Sequence, residues 1–251
     1  MRRDCSMSLR LTDIQQGYSK TPVLRDINLE LGTGITGLLG PNGAGKSTLL
    51  RTMATVLPPR SGSVEISGSQ VESERSARQV RGRIGYLPQD FGHDPAMRVL
   101  DFVEYAAWLR GIPARQQHEA AVRALEHVDL VGLHRTKMGK LSGGQRQRAG
   151  IAWAVVGEPD VILLDEPTVG LDPQQRIQFR SIVKSLGRST VVLSTHLTDD
   201  IDAVCDRVIV LNEGQISFDG TVSALTAEAR DDLPGQSALE RAYMHLLTKG
   251  K

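Results

Sequence analysis

Apolar and polar residues alternate in two parts of the chain. The first 35 residues and residues 63–68 show this pattern, for example at Ile27, Leu29 and Leu31. Alternation is typical of strands that cover a core with one face only. Gly and Pro residues separate these segments, and we interpret them as a small antiparallel β subdomain.

Three other apolar runs are short and do not alternate, which is typical of parallel strands covered on both faces. They lie at residues 35–39, 161–164 and 191–193. We expect them to form a central sheet. Near the end of the chain, residues 208–211 and 215–218 flank Glu213-Gly214, which predicts a hairpin. Together these patterns predict an α/β fold with a mixed central sheet.

Helical spacing replaces the strand patterns between residues 94 and 140. Leu100, Val103 and Ala107 recur on one helical face, and Gly111 with Pro113 gives a stop signal. We therefore expect a helical insertion in the sheet domain, extending over about residues 94–157.

A last helix is predicted close to the C-terminus. Ser237 and Glu240 are three residues apart, which is the spacing of a capping box. We expect Ser237 to be the N-cap of this helix.

A glycine-rich segment, GPNGAGKST, follows the predicted strand ITGLL and precedes LLRTMATVL, a run that suits a helix. In this context the pattern G-x-x-x-x-G-K-[ST] predicts a loop that binds the phosphates of ATP. The glycines let successive backbone N–H groups face one anion, and the start of the helix adds the positive end of its dipole. The alternative is a glycine turn that ends in Lys-Ser for local reasons only.

Three residues of this loop have separate predicted roles. Lys46 supplies a full charge for the outer phosphates, Ser47 a hydroxyl for Mg²⁺, and Thr48 a hydrogen bond to a phosphate oxygen. The predicted nucleotide-binding residues of the loop are Gly40, Pro41, Asn42, Gly43, Ala44, Gly45, Lys46, Ser47 and Thr48.

Two carboxylates stand where a buried strand is expected to end. The sequence VILLDE places Asp165 and Glu166 at the carboxyl end of this strand, and open parallel sheets bind ligands at that edge. Asp165 is suited to hold Mg²⁺ through water, whereas Glu166 can point elsewhere and polarise the attacking water. The alternative is an acidic N-cap of the next helix.

Three further residues are candidates for the same edge. His196 ends the third buried strand, TVVLST, where a neutral imidazole could reach the γ-phosphate. Its alternative is a place beside the N-cap of an acidic helix at residues 198–202. Gln89 follows a short strand at residues 84–87 and is expected beside the metal. Tyr18 could stack on the base, and its alternative is a half-buried strand aromatic.

A second candidate anion site starts the helix RQRAGIAWAVVG. In LSGGQ, Ser142 is suited to be an N-cap, and Gly143 and Gly144 expose backbone donors next to Gln145. This is a phosphate site without a lysine. Helix starts often contain Ser and Gly for local reasons, so a simple cap is the alternative.

Composition narrows the range of partners and compartments. The chain has 30 Lys and Arg against 29 Asp and Glu, and this near neutrality gives no reason to expect nucleic acid. Cys5 and Cys205 lack metal-ligand spacing and are too few for a disulfide scaffold, which suits a reducing compartment. No apolar run approaches the roughly 20 residues that cross a bilayer.

Taken in order, these motifs resemble the nucleotide-binding subunits of ABC transporters over roughly residues 9–220. The segments that carry the resemblance are GPNGAGKST, YLPQ, LSGGQ, VILLDE, GLD at residues 170–172, and His196. LSGGQ is the most family-specific of them. The resemblance implies a P-loop NTPase of the ABC cassette type at residues 1–220, followed by a C-terminal helical tail at residues 221–251.

The same resemblance implies partners and a location. Two copies would form a homodimer, head to tail and dependent on ATP, with each glycine loop facing the partner's LSGGQ. The dimer would serve a separate transmembrane permease from the cytoplasmic side, at the inner face of the membrane. The segments YLPQDFG and DFVEYAAWLRG are most similar to those of drug, antibiotic or lantibiotic exporters.

The resemblance also implies roles for single residues. Tyr18 would stack on adenine, Gln89 would link the metal to the membrane partner, and Asp172 would contact the other copy across the dimer. Glu166 would be the catalytic base and His196 the sensor of the γ-phosphate. Together with the loop, this implies Lys46, Glu166 and His196 as catalytic residues and Ser47, Gln89 and Asp165 as metal ligands.

A second function stays open at this point. An ABC ATPase of an assembly system, such as the iron–sulfur-cluster scaffold ATPase, is about as long and also lacks spanning segments. The partner would distinguish the two, because a transporter subunit binds a hydrophobic permease and the assembly ATPase binds a soluble β-helical scaffold. A GTP-driven switch would need an Asn-Lys-x-Asp element, which the sequence does not contain.

Overall fold

The computed structural model describes residues 7–18, 21–230 and 232–249 of the chain. The strands are β1 (Leu9–Gln16), β2 (Leu24–Leu31), β3 (Gly34–Leu39), β4 (Ser61–Ile66), β5 (Ser69–Val71), β6 (Ile84–Leu87), β7 (Val161–Asp165), β8 (Thr190–Thr195), β9 (Arg207–Asn212) and β10 (Gln215–Thr221). The helices are α1 (Lys46–Met53), α2 (Glu74–Arg81), α3 (Val99–Leu109), α4 (Ala114–His127), α5 (Gly143–Val155), α6 (Pro173–Ser185), α7 (Thr198–Val204), α8 (Val222–Thr226) and α9 (Ala238–Lys249).

The alternating segments form an antiparallel sheet of order β2-β1-β4-β5, as predicted. Leu9 of β1 lies opposite Leu31 of β2 on one side and Ile66 of β4 on the other. Because side chains alternate between the faces of a strand, the apolar set covers one face of this sheet. That face shares a core with Leu49 and Met53 of α1.

The central sheet has the order β10-β9-β3-β8-β7-β6. Strands β9, β3, β8, β7 and β6 are parallel, and every residue of β7 and β8 is buried. This confirms the prediction of strands covered on both faces. The parallel arrangement brings the carboxyl ends of β3, β6, β7 and β8 to one edge of the sheet, where the candidate residues follow.

The hairpin predicted at Glu213-Gly214 joins β9 to β10. Both turn residues have left-handed backbone, with φ of 48° and 79°, as a two-residue hairpin turn requires. A Cβ at position 214 would lie 1.9 Å from the carbonyl oxygen of Val23. Only glycine therefore fits where this turn meets the antiparallel sheet.

The predicted helical insertion is present. Residues 94–140 contain α3, α4 and two 3₁₀ turns, Val131–Leu133 and Met138–Lys140. Within residues 94–140, the one β-bridge is isolated and joins Arg98 to Lys137. Phe102 of α3 packs against Trp153 of α5, with ring centroids 4.6 Å apart.

Two helix ends differ in detail from the expectation. The run LLRTMATVL extends to Leu57, but α1 ends at Met53, and Thr55 has left-handed backbone with φ of 56°. At α9, Ser237 Oγ accepts the N–H of Glu240 as predicted. The Glu240 carboxylate, however, accepts the N–H of Gln236 rather than that of Ser237, so the capping box is displaced by one residue.

The C-terminal segment packs on the central sheet. Leu239 and Ala242 of α9 share a buried cluster with Leu39 and Val210, and burial raises the pKa of Tyr243 to about 12. Strand β10 ends at Thr221, one residue beyond the cassette boundary expected from the sequence. Residues 250–251 of the expected tail lie outside the described residues.

The remaining expectations concern the cysteines and the membrane. Cys205 is half-buried, and burial raises the pKa of its thiol, whereas Cys5 lies outside the described residues. In the part of the chain that the structure describes, none of the helices has the length and apolar character needed to cross a membrane.

Candidate active site

The glycine loop connects β3 to α1 and surrounds the side chain of Lys46. Gly43 and Gly45 have left-handed backbone, with φ of 84° and 106°. A Cβ at Gly40 would lie 2.4 Å from the carbonyl oxygen of Leu211. Lys46 Nζ is buried and donates to the carbonyl oxygen of Gly40 at 2.7 Å. The loop thus holds an ammonium group at the start of a helix, as the pattern predicts.

A cavity of about 560 Å³ opens beside this loop. Its volume lies within the usual range for sites that bind small molecules. The lining residues are Tyr18, Val23, Pro41, Asn42, Gly43, Gly45, Lys46, Ser47, Thr48, Gln89, Glu166, Val169 and His196. Of the residues predicted for the nucleotide, the metal and catalysis on this side, only Gly40, Ala44 and Asp165 do not line it.

Asp165 does not line the cavity but contacts Ser47, which does. It is 1% exposed, and its Oδ1 accepts hydrogen bonds from Ser47 Oγ at 3.1 Å and from Ser194 Oγ at 2.7 Å. The Ser194 hydroxyl also accepts the backbone N–H of Glu166 at 2.8 Å. Ser194 therefore joins the carboxylate of Asp165 to the backbone of Glu166.

The sequence reasoning missed Ser194. The sequence feature that could have identified it is a serine within a strand that was expected to be buried. A buried hydroxyl requires a hydrogen-bond partner.

Glu166 has left-handed backbone, with φ of 47°, and its carboxylate contacts different partners from that of Asp165. Its Oε1 lies 3.2 Å from Lys46 Nζ, and its Oε2 lies 2.9 Å from His196 Nδ1. The side chains of Glu166 and Lys46 are 7% and 6% exposed, so this is a buried ion pair. The sequence predicted that Glu166 would point elsewhere than Asp165, but it did not predict the contact with Lys46.

The alternative for Glu166, an N-cap of the next helix, does not fit the structure, whereas the alternative for His196 does, because His196 lies next to the N-cap of α7. Helix α6, which follows Glu166, is capped by Asp172. The N-cap of α7 is Leu197, and no side-chain hydrogen bond caps that helix. Glu166 and His196 also line the cavity and contact each other, which is an arrangement suited to proton transfer.

Tyr18 also lines the cavity. It follows β1 and is 60% exposed, so it is not a half-buried strand residue. Its hydroxyl oxygen accepts hydrogen bonds from Thr48 Oγ1 at 3.5 Å and from Arg51 Nη1 at 3.3 Å. These two donors, with Thr48 the larger cause, lower the pKa of Tyr18.

The LSGGQ residues lie at the start of α5 and do not line this cavity. Ser142 caps α5, and Ser142 and Gln145 exchange the two hydrogen bonds of a capping box. Ser142, Gly144 and Gln145 border a cavity of about 210 Å³ together with Asp172, which caps α6. Gly143 is exposed, whereas Gly144 is buried beneath the side chain of Gln175, so the two glycines are not equally exposed.

The structure therefore gathers the predicted residues into two groups. One group surrounds Lys46 and the acids, and the other surrounds the start of α5. The first contains a cation, a carboxylate and an imidazole, which suits it to binding phosphates and activating water. The second contains a helix N-terminus, hydroxyl and amide groups and the carboxylate of Asp172.

Comparison with known proteins agrees with this fold. The family described as ABC transporter matches residues 24–169. The daunorubicin resistance ATP-binding protein DrrA3 of Streptomyces coeruleorubidus is 37% identical, over 87% of this chain and 69% of its own length. The phosphonates import ATP-binding protein PhnC 1 of Ruegeria sp. is 33% identical, over 93% of this chain and 97% of its own length.

Solved structures give the same result. Two dimeric structures of MJ0796, a bacterial ABC transporter cassette, match with a TM-score of 0.77 and 26% identity, covering 85% of this chain and 98% of theirs. One of them is a post-hydrolysis state bound to ADP and Pi. The chain belongs to the ABC transporter family, as an ATP-binding subunit with ATPase activity.

Proposed function

We propose that two copies of this chain meet head to tail around two Mg-ATP and power a separate membrane permease in the export direction. The observation that carries this proposal is the presence of two complementary half-sites on one chain. One half-site has Lys46, Glu166 and His196 around a cavity, and the other is the lysine-free start of α5 at Ser142. A second copy would supply to each half-site what it lacks.

The first half-site has the groups that Mg²⁺ requires. Ser47 and Gln89 line the cavity, and Asp165 accepts a hydrogen bond from Ser47. Hydroxyl, amide and carboxylate oxygens suit Mg²⁺, which is usually held by one or two carboxylates together with phosphates and water. The described ranges contain no group of three or more His, Cys, Asp or Glu that could hold a metal, which fits an ion shared with the nucleotide. Bound there, Mg²⁺ would neutralise charge on the β- and γ-phosphate oxygens.

Hydrolysis follows from the arrangement around Glu166. A triphosphate in the cavity would attract Lys46 Nζ, whose other partners are the carbonyl oxygens of Gly40 and Pro41. The Glu166 carboxylate would then be free to accept a proton from the attacking water. His196 contacts the other carboxylate oxygen and would hold Glu166 in place as the γ-phosphate leaves.

The second half-site would receive the partner's γ-phosphate. Backbone N–H groups at the start of α5 favour an anion, and the capping box holds this helix start in one conformation. Gly143 has no atom within 4 Å of its virtual Cβ. A side chain at position 143 would therefore have room within this protomer.

We expect Gly143→Asp to prevent the ATP-dependent dimer while leaving the fold intact. The new carboxylate has room within the protomer but would repel the partner's phosphates. In the Glu166→Gln background with saturating Mg-ATP, the parent should elute as a dimer and the Gly143→Asp form as a monomer, with association at least about 100-fold weaker for buried like charges. Size-exclusion chromatography with light scattering measures this.

Gly132→Asp is the matched control, because Gly132 also has open space around its virtual Cβ and lies in the 3₁₀ turn Val131–Leu133 rather than at the start of α5. It should dimerise like the parent. A Glu166→Gln protein that stays monomeric with Mg-ATP at every concentration would rule out the dimer proposed here.

An exposed aromatic surface on α3 is suited to contact the permease. Tyr105, Trp108 and Leu109 are 45%, 59% and 53% exposed, and the rings of Tyr105 and Trp108 stack at 5.6 Å. Exposed apolar patches often mark binding sites. Tyr105 contacts Trp153, which packs against Phe102, and Phe102 contacts Phe91 in the segment that follows Gln89. Movement at the cavity could reach the permease along this path.

We expect Tyr105→Ser with Trp108→Ser to reduce co-purification of the permease about tenfold or more, since buried aromatic anchors dominate interfaces. The ATPase rate of the isolated chain should not change. Val56→Ser is the control, because Val56 is also 59% exposed and lies after α1. Co-purification with a soluble β-helical scaffold in place of a hydrophobic protein would favour the assembly function instead.

The name of DrrA3, a daunorubicin resistance protein, supports the export direction. The name of PhnC 1, a phosphonates import protein, points to the opposite direction. The location follows from the same proposal. With a permease as partner, the dimer would lie on the cytoplasmic side at the inner face of the membrane. Transport assays in inverted vesicles that contain the permease and this chain would test the direction, since an exporter accumulates substrate inside them.

A further inference from the structure

A buried carboxylate on α7 connects two segments that carry the proposed catalytic groups. Asp200 is 0% exposed. Its Oδ2 accepts a hydrogen bond from Thr168 Oγ1 at 2.7 Å. Its Oδ1 accepts hydrogen bonds from Arg180 Nε at 3.1 Å and Nη2 at 2.8 Å. Both oxygens of the carboxylate are therefore used inside the protein.

Thr168 and Asp200 lie close in the chain to Glu166 and His196, and Arg180 lies on α6. Thr168 is two residues after Glu166 and four before Asp172, which caps the helix that carries Arg180. Asp200 is four residues after His196. One carboxylate thus joins the segment that leads from Glu166 to Asp172 with the segment that leads from His196 into α7.

Stability alone is a weak reason for such a group. Removing a carboxylate from water is costly, and a well-paired buried ion often stabilises a protein no more than apolar residues of the same volume would. A fully bonded buried network does, however, specify one arrangement of the elements that it joins. Here those elements are the two segments that carry Glu166 and His196.

Both catalytic groups need such support. Glu166 has left-handed backbone, which is costly for a residue other than glycine. Its carboxylate is held through Lys46 and His196, and the triphosphate would draw Lys46 away. His196 has a side chain that is 41% exposed. The contact between Glu166 and His196 then depends on how far apart their two segments are held.

We propose that Asp200 is a positioning residue for hydrolysis. Together with Thr168 and Arg180 it fixes the segment from Glu166 to Asp172 against α7, so that the Glu166–His196 contact persists when Lys46 moves to the phosphates. This inference rests on the proposed function, in which Glu166 is the base. None of the three residues lines the nucleotide cavity, so nucleotide affinity should not depend on them.

The test compares Thr168→Val with Thr168→Ser and with Asp200→Asn. Thr168→Val removes the hydroxyl at nearly constant shape, and Thr168→Ser keeps it. We expect Thr168→Val and Asp200→Asn each to lower kcat for ATP about 10- to 100-fold, the scale of small misplacements. KM should stay within about twofold, because uniform binding is not affected. Thr168→Ser should keep the parent kcat. The double variant Thr168→Val with Asp200→Asn should have a kcat no lower than that of the slower of these two single variants.

Thr190→Val is a matched control. Thr190, like Thr168, is 0% exposed. Its hydroxyl has no hydrogen-bond partner among the described residues. It is the first residue of β8, at the end of the strand far from the cavity. This variant should leave kcat unchanged. The melting temperature of every variant is measured, and the assay is run at a temperature at which all of them are folded. If Asp200→Asn does not fold, the kcat of Thr168→Val tests the proposal.

Unchanged kcat in Thr168→Val, or equal losses in Thr168→Val and Thr190→Val, would overturn the positioning role. Glu166→Gln in the same assay separates the two proposals. If Glu166→Gln stops turnover while Thr168→Val and Asp200→Asn do not, only the inference on Asp200 fails. If Glu166→Gln turns over normally, the proposed function itself fails.

Discussion

Glu166→Gln should lower kcat for ATP hydrolysis by at least about 100-fold, because removal of a general base costs 10²- to 10⁴-fold. The amide keeps the shape of the side chain but accepts no proton. ATP should bind as well as before or more tightly, since the substitution removes a negative charge close to the phosphates and frees Lys46 from its ion pair. Steady-state turnover and equilibrium binding of ATP measure the two effects separately.

The control for this variant is Glu213→Gln. Glu213 has nearly the same left-handed backbone, φ of 48° against 47° at Glu166, but it lies exposed in the β9–β10 turn. It should hydrolyse ATP at the parent rate. Weakened ATP binding by Glu166→Gln, with kcat unchanged, would contradict the assignment of Glu166 as the base.

Lys46→Met should abolish ATP binding in the concentration range where the parent is saturated. The ammonium group is buried and is the one cation that lines the cavity within the described residues, apart from any charge on His196. Truncation of one partner in a buried charge pair costs about 2–5 kcal/mol, so ATP affinity should fall by a factor of roughly 30 to several thousand. Equilibrium binding of a fluorescent ATP analogue measures the loss.

The same variant has a second expected effect on stability. Without Lys46, the Glu166 carboxylate is left buried beside His196 alone, and an unpaired buried charge costs about 3–5 kcal/mol. The double variant Lys46→Met with Glu166→Gln should recover most of this stability in thermal unfolding, but it should not recover ATP binding. Lys184→Met, an exposed lysine on α6, is the control and should change neither property. Recovery of ATP binding by the double variant would show that Lys46 acts only by neutralising Glu166.

Most of the architecture was predictable because it depends on local patterns. Alternation at Leu29 and Leu31 indicated the antiparallel sheet, and the unbroken apolar runs indicated the central one. The turn at Glu213-Gly214 followed from the left-handed preference of glycine. The Glu240 cap was displaced by one residue, because a flexible carboxylate can reach either of two neighbouring N–H groups, and the sequence does not specify which.

The candidate site was predictable as a set of residues, but its contacts were not. Strand ends identified Asp165, Glu166, His196 and Gln89 because parallel strands place their carboxyl ends at one edge. Nothing in the sequence indicated that Glu166 turns to Lys46 rather than remaining free. Ser194 was overlooked because a serine in a strand has many possible partners until the neighbouring strand is known.

The sequence by itself determined the glycine loop and the cap of α5 at Ser142, and it contains, in order along the chain, the motifs that mark an ABC cassette. These features depend on backbone preferences and hydrogen bonds between residues at most a few positions apart. Only the tertiary structure decided that Glu166 pairs with Lys46 and His196, and that Asp200 holds Thr168. Those contacts join residues at least 30 positions apart, and their geometry is set by how the strands and helices pack, which no local pattern records.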